Sequence, residues 1–328
     1  MKKIMLFCFL LTGIFSVNAQ NAGIDKEAFA HTFSIVARDT LTGEMAVAIQ
    51  SHWFSVGSLV SWGKAGVGVV ATQSFVNPAY GPEGLALMDE GIAAEEALTR
   101  LIEKDEGRAY RQVAFLDATG NVSAYTGEKC VESAEDMQGK NFSVQANMML
   151  NDRVVPAMAE TFAMNPDLPL AERIVKVLQA AQEAGGDIRG KQSAALIVVG
   201  PDKTDKEWEE KKIDLRVDDS ANPIQELARL LKVHRAYEHM NRGDLAVEAN
   251  DMEKALLEYG TAEKMFPDNL EMKFWKAVAL ANSGRLEEAK PIFEKIFEQD
   301  DNWRKMIFRL PPSGLLNLSE EEIKSITE

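Results

Sequence analysis

Two apolar runs of strand length stand close together early in the chain, residues 33–37 (FSIVA) and 45–49 (MAVAI). The polar stretch between them carries Thr40-Leu41-Thr42-Gly43 at its tip. Short apolar runs joined by a glycine-bearing turn predict a β-hairpin whose strands are short enough to be buried. Its first strand opens on a hydroxyl residue, Thr32. Were the chain cut just before it, the α-amino group of Thr32 would become a base for its own hydroxyl.

The elements that follow fall into clusters. Residues 66–73 (GVGVVATQ) predict a third strand, with glycines where backbones approach closely. Residues 51–62 read as a loop leading to a strand edge, and 77–84 (NPAYGPEG) as a turn-rich connection. Leu87, Ala94, Ala97, Leu98 and Leu101 recur at helical spacing around Gly91, which predicts two helices over 85–104. Strands at 111–116 and 122–126 flank Asp117-Ala118-Thr119-Gly120-Asn121 as a second hairpin. Residues 142–149 read as a further strand or a strand-to-loop passage. Helices over 154–163 and 171–184 precede a last buried strand at 193–199 and an edge strand at 213–217. Strand clusters before and after helix pairs predict an α+β fold of two stacked sheets flanked by helices.

An amphipathic helix over 223–234 begins the connection to a C-terminal part with its own pattern. Ala255 recurs as Ala289, 34 residues on, and Tyr259 as Phe293. With Gly243, Ala262 and Pro267 at small and breaking positions, residues 236–302 resemble the tetratricopeptide repeat, one good copy and one weaker. Two repeats leave apolar faces uncovered, so this segment must lean on the preceding domain or be capped by the tail around 303–310. It reads either as a groove for a peptide or protein partner, or as a helical appendage that stabilises or dimerises the protein, so a homo-oligomer stays open.

Residues 1–19 are set apart from both. Lys2 and Lys3 precede an apolar run over 4–17, and Val17-Asn18-Ala19 offers small residues for cleavage, which predicts a secretory signal and an exported, periplasmic or secreted protein. The run is short for a membrane span and no later stretch matches it. Loss of two lysines takes the net charge from −15 to about −17. That charge excludes nucleic acid as a partner, since phosphate binding needs a basic surface. Only Cys130 then remains, so no intramolecular disulfide forms. Residues 20–31 are left as an N-terminal extension or propeptide.

Standard catalytic motifs are missing: there is no GxSxG, phosphate loop or HExxH. His234 and His239, five apart, do not share a helical face and are not expected to bind metal; no cofactor is expected either. What remains are polar groups inside or beside apolar strands: Gln50 and Ser51, Thr72 to Ser74, Asn77, Gln145 with Asn147, and the stretch from Asp187 through Arg189 to Ser193. An unpaired buried polar group costs about 1–3 kcal/mol. Either they satisfy one another, or the strand ends converge on a polar cleft. Asp187 and Arg189 read as a structural ion pair or a substrate contact.

The motifs TFSIVARD, TGEMAVAIQS, AGVGVVATQS, NPAYGPEGL, RQVAFLDATG, TGEKC, QANMML and GGDIRGKQSAALIVV together resemble domain-of-unknown-function family 1028, placed in the Ntn-hydrolase superfamily. The resemblance spans about 32–235 and implies a four-layer αββα sandwich over 32–222, followed by the helical linker and repeats of 223–328. It implies an amidohydrolase of small amides or peptides with Thr32 as nucleophile. Its oxyanion or substrate-binding candidates are Gln73, Asn77, Asn147, Asp187 and Arg189; nothing in the sequence fixes Lys64 near Thr32. Signal cleavage leaves residues 20–31 in front of Thr32, so catalysis requires a further cut at the His31–Thr32 bond. The alternative is a non-catalytic envelope scaffold that recruits partners through the repeats.

Overall fold

The computed structural model describes residues 28–328; the predicted signal and residues 20–27 of the extension lie outside the described residues. Two antiparallel sheets carry the N-terminal domain. One has five strands: β1 (Ala28–Ala30), β4 (Ser61–Lys64), β5 (Gly68–Val76), β6 (Arg111–Asp117) and β7 (Val122–Thr126). The other has six, in the spatial order β11 (Lys211–Val217), β10 (Ser193–Val199), β3 (Met45–Ser51), β2 (Thr32–Arg38), β9 (Phe142–Ala146) and β8 (Glu135–Gly139). The predicted hairpin is its central pair, β2 against β3. Asp39 shapes its turn by accepting from the Leu41 and Thr42 amides (2.7 and 2.8 Å).

Alternation along the strands sorts their side chains between two cores. Phe33, Ile35, Ala37, Ala46 and Ala48 pack against helices α3 (Val154–Met164) and α4 (Leu170–Glu183). Val36, Met45 and Val47 face Val69, Ala71, Ala114 and Leu116 of the other sheet. On that sheet's far side, Val70, Val113 and Phe115 meet α1 (Tyr80–Asp89) and α2 (Ala94–Lys104). The layers therefore run helix, sheet, sheet, helix.

Local chemistry corrects the reading of two connections. Residues 77–84 are not all turn, because α1 begins at Tyr80. Pro82 falls in its first turn, where amides have no intrahelical partner to lose. Gly81 and Gly84 are there for close approach: a Cβ on either would stand 2.3 Å from the Trp62 or Phe115 ring. Gly84→Val should therefore cost about 2 kcal/mol, since overpacking at ~1–3 kcal/mol outweighs the few tenths gained in helix propensity. A lowered thermal midpoint would register it. The stretch 51–62 is likewise more than loop, holding a single turn of 3-10 helix and β4. β1 and the edge strand β8 went unpredicted, because neither carries an alternating apolar pattern.

The connecting helix α5 (Pro223–Glu248) serves both parts of the chain. Ile224, Leu227 and Leu231 belong to the core over the six-stranded sheet, while Ala236, Met240 and Ala246 join the core of the repeats. Arg235 clamps α5 to α4 through a two-pronged ion pair with Glu172 (2.8 and 3.0 Å). The repeat helices are α6 (Met252–Met265), α7 (Leu270–Asn282) and α8 (Leu286–Gln299). The matched positions Ala255, Tyr259, Ala289 and Phe293 are all buried. α9 (Asn302–Ile307) and α10 (Glu320–Thr327) close the end, with Ile307, Leu310, Ile323 and Ile326 in one core with Phe274 and Phe293.

Candidate functional site

The facing surfaces of the two sheets change character along their length. Where one end holds valine, alanine and leucine, the other carries Thr32, Ser34, Ser51, Gln73, Gln112, Gln145 and Asn147, every one of them at 0% exposure. Shielded from bulk solvent in the uncleaved chain, these groups find their partners within the protein. Ser34 Oγ donates to Gln73 Oε1 (2.5 Å) and accepts from Gln145 Nε2 (2.6 Å). Gln73 Nε2 donates to Gln112 Oε1 (2.7 Å) and to the Thr32 carbonyl (3.1 Å). Asn147 Nδ2 donates to the same Gln112 oxygen (2.8 Å), and Gln112 Nε2 donates on to the Ala146 carbonyl (2.9 Å) and Thr126 Oγ1 (3.0 Å). Gln112 is the hub: its oxygen accepts from both Gln73 and Asn147 and so fixes the orientation of those two amides. Gln112→Leu should strand at least two buried polar groups and cost about 2–6 kcal/mol, measurable by denaturant unfolding.

The chain crosses from one sheet to the other at this polar end. Ala30 pairs with Ser74 of β5, and Thr32 pairs with Ser51 of β3, so His31 bridges the sheets. Its carbonyl accepts from Ser51 Oγ (2.6 Å) and from Arg189 Nη2 (2.9 Å). Arg189 is held to this task by a two-pronged pair with buried Asp187, Nη2 to Oδ2 at 2.6 Å and Nε to Oδ1 at 3.0 Å. Asp187 in turn accepts from the His52 amide (3.2 Å). The sequence left ion pair or contact open for these two residues. Here Arg189 pairs with Asp187 and reaches the carbonyl before Thr32 at once.

The His31 ring is fixed as well. Because Asn147 Nδ2 is a donor, Asn147 Oδ1 must accept from His31 Nδ1 (2.7 Å), which therefore carries the proton. The ring meets Phe75 edge-on, centroids 6.3 Å apart. Burial pushes the His31 pKa below its ordinary value; the hydrogen bond to Asn147 opposes this and Arg189 adds to it. The neutral ring's contribution to stability is therefore complete above about 6.5 and is lost as pH falls through the lowered folded value. In an uncleaved chain, His31→Asn should remove part of the fall in thermal midpoint between about pH 7 and pH 5. Opposite Ala30, Ser74 holds a left-handed backbone (φ +72°), strain of the kind that gathers at functional sites.

Of the predicted residues, Thr32, Gln73, Asn147, Asp187 and Arg189 come together here. Asn77 does not; its side chain accepts from the Ala79 amide (3.1 Å) at the entrance to α1. Lys64 pairs with Asp89 (2.8 Å) at the far end of β5. Sequence reasoning missed Gln112 and His31. Gln112 was readable from alternation, since it shares a face with Ala114 and Leu116 on β6. His31 had no local signal, because its role depends on β1. Among the described residues no group of side chains is arranged to hold a metal ion.

The model of the family of unknown function DUF1028 matches residues 32–227. The chain belongs to this family. The DUF1028 match opens on Thr32 itself and ends in the first turns of α5, among the residues that α5 gives to the sandwich core. A crystal structure of a DUF1028-family protein from Silicibacter pomeroyi is 32% identical, with a TM-score of 0.56, over 62% of this chain and 88% of that one. Among curated proteins no match is found. A tetratricopeptide-repeat model matches residues 246–307, beyond the DUF1028 domain, and repeats of this kind suggest protein–protein interaction. Together with α5 they line a cavity of about 380 Å³ with Tyr237, Tyr259 and Trp275 in its wall and Asp244, Glu248 and Glu271 among its lining groups. No helix among the described residues is long and apolar enough to cross a membrane.

Proposed function

We propose that the DUF1028 domain is an amidohydrolase of the N-terminal-nucleophile type, acting on small amides or peptides, with Thr32 as nucleophile after cleavage of the His31–Thr32 bond. One observation carries this reading: the carbonyl of that bond already faces two donors, Ser51 Oγ and Arg189 Nη2. Donors aimed at an amide carbonyl oxygen are what a tetrahedral intermediate needs, and they act most strongly where water is excluded.

The first reaction is on the chain itself. Thr32 Oγ1 adds to the His31 carbonyl carbon, and negative charge collects on the oxygen held by Ser51 and Arg189. The C–N bond then breaks as the hydroxyl proton passes to the Thr32 nitrogen, leaving an ester between His31 and the Thr32 side chain. Water cleaves the ester, and Thr32 emerges with a free hydroxyl and a free amine. An α-amine has an ordinary pKa of about 7.7–8.0, close to neutrality, so it can take the hydroxyl proton in later turnovers. Each substrate amide then loses its amine, leaves its acyl group on Thr32 Oγ1, and yields an acid when water attacks. Signal-directed export to the periplasm or medium belongs to the same proposal. A threonine-directed electrophile such as a β-lactone tests it. One equivalent on the peptide that begins with Thr32 is expected, and labelling elsewhere or not at all would count against it.

The second reading, a scaffold that recruits a partner, is favoured by the aromatic, acid-lined cavity in the repeats. On that reading, deletion of 236–328 abolishes partner capture and leaves the sandwich folded, because Ile224, Leu227 and Leu231 keep their places.

A further inference from the structure

We infer that residues 28–31 occupy the acyl-side substrate site, and that the enzyme takes peptides which add as a strand to β5 and present a histidine, or a similar planar polar side chain, at the residue whose carbonyl is attacked. The inference rests on the proposed nucleophile and specifies its substrate.

The oxygen that attacks the His31 carbonyl is the oxygen that later attacks substrate, and the same two donors must hold both oxyanions. Whatever precedes the substrate carbonyl therefore lies along the path that residues 28–31 take. That path is a strand. Ala28, Phe29 and Ala30 pair antiparallel with Val76, Phe75 and Ser74. The remainder of that edge of β5 is filled, since β4 pairs with Gly68 through Ala71. Departure of the extension thus opens a strand slot about three residues long that ends at the nucleophile. An unpaired edge of this kind binds extended peptide through its main chain, with pockets for particular side chains setting specificity.

The pocket nearest the chemistry is defined by what now fills it. Asn147 Oδ1 is aimed at His31 Nδ1, and it cannot turn away, because Asn147 Nδ2 is committed to Gln112. Phe75 supplies a flat neighbour at the ring, and Arg111 Nη1 anchors the Phe75 carbonyl (2.9 Å). A substrate side chain without a donor would leave the buried Asn147 oxygen unpaired, and that selects against alanine or leucine there.

The test uses the processed protein and peptides copied from its own extension. Binding of the acid Ala-Phe-Ala-His is measured by calorimetry against Ala-Phe-Ala-Ala and against a version N-methylated within the strand. The histidine peptide is expected to bind about tenfold more tightly than either, the scale of one buried hydrogen bond. The matching acyl-Ala-Phe-Ala-His amide should be cleaved with a correspondingly higher kcat/KM. Asn147→Leu, which removes the acceptor, should erase the preference. If the β-lactone labels Thr32 yet the three peptides bind alike, the substrate site is wrong while the nucleophile stands. If the extension is never removed, no slot opens and both ideas fall together.

Discussion

Thr32→Ala is expected to leave the His31–Thr32 bond uncut and the segment before it attached. The hydroxyl of Thr32 is the attacking group in the first reaction: the Ser34 and Ser51 hydroxyls are committed as donors to Gln73 Oε1 and the His31 carbonyl oxygen, and the amides of Gln73, Gln112, Gln145 and Asn147 are not nucleophiles. The loss should be complete, while the fold persists, because only a methyl and a hydroxyl leave a packed site. Amidohydrolase activity must vanish with it, since no free amine forms. Intact mass of the purified protein separates the outcomes. A T32A chain cut normally at His31 would assign the cleavage to an outside protease.

The second large effect belongs to the donors on the His31 carbonyl. Ser51→Ala should slow conversion of precursor to mature chain by about 10²–10³, the usual consequence of losing one oxyanion donor. Arg189 needs a more careful substitution. Removing it alone strands the buried Asp187 carboxylate, and an uncompensated buried charge costs about 3–5 kcal/mol in stability. Arg189→Met combined with Asp187→Asn removes the donor without stranding the charge, and should slow conversion by a similar factor. Time courses of precursor mass after synthesis read both. Unchanged rates in the two variants would mean that the carbonyl is held for structural reasons alone.

The fold was legible where the pattern was periodic. The hairpin from Thr32, the strands at 111–116 and 193–199 and both helix pairs follow from apolar spacing, and the repeats from the 34-residue recurrence of Ala255 as Ala289. Turn composition misled at Tyr80, where glycines serve Trp62 and Phe115 rather than a bend. The candidate site was half legible. Gln73, Asn147, Asp187 and Arg189 stand out as polar groups at strand ends. Their convergence on the His31 carbonyl depends on β1, three residues paired to β5 across more than forty positions of sequence, and no local rule foretells that pairing. His31 is therefore the residue that the three-dimensional arrangement adds.

On the proposed mechanism this chain breaks one of its own peptide bonds to make its nucleophile. Intact mass and N-terminal sequencing of protein recovered from the periplasm or medium test it most directly. A mature chain that begins at Thr32 is expected. Active protein that begins at Gln20, with the His31–Thr32 bond intact, would contradict it.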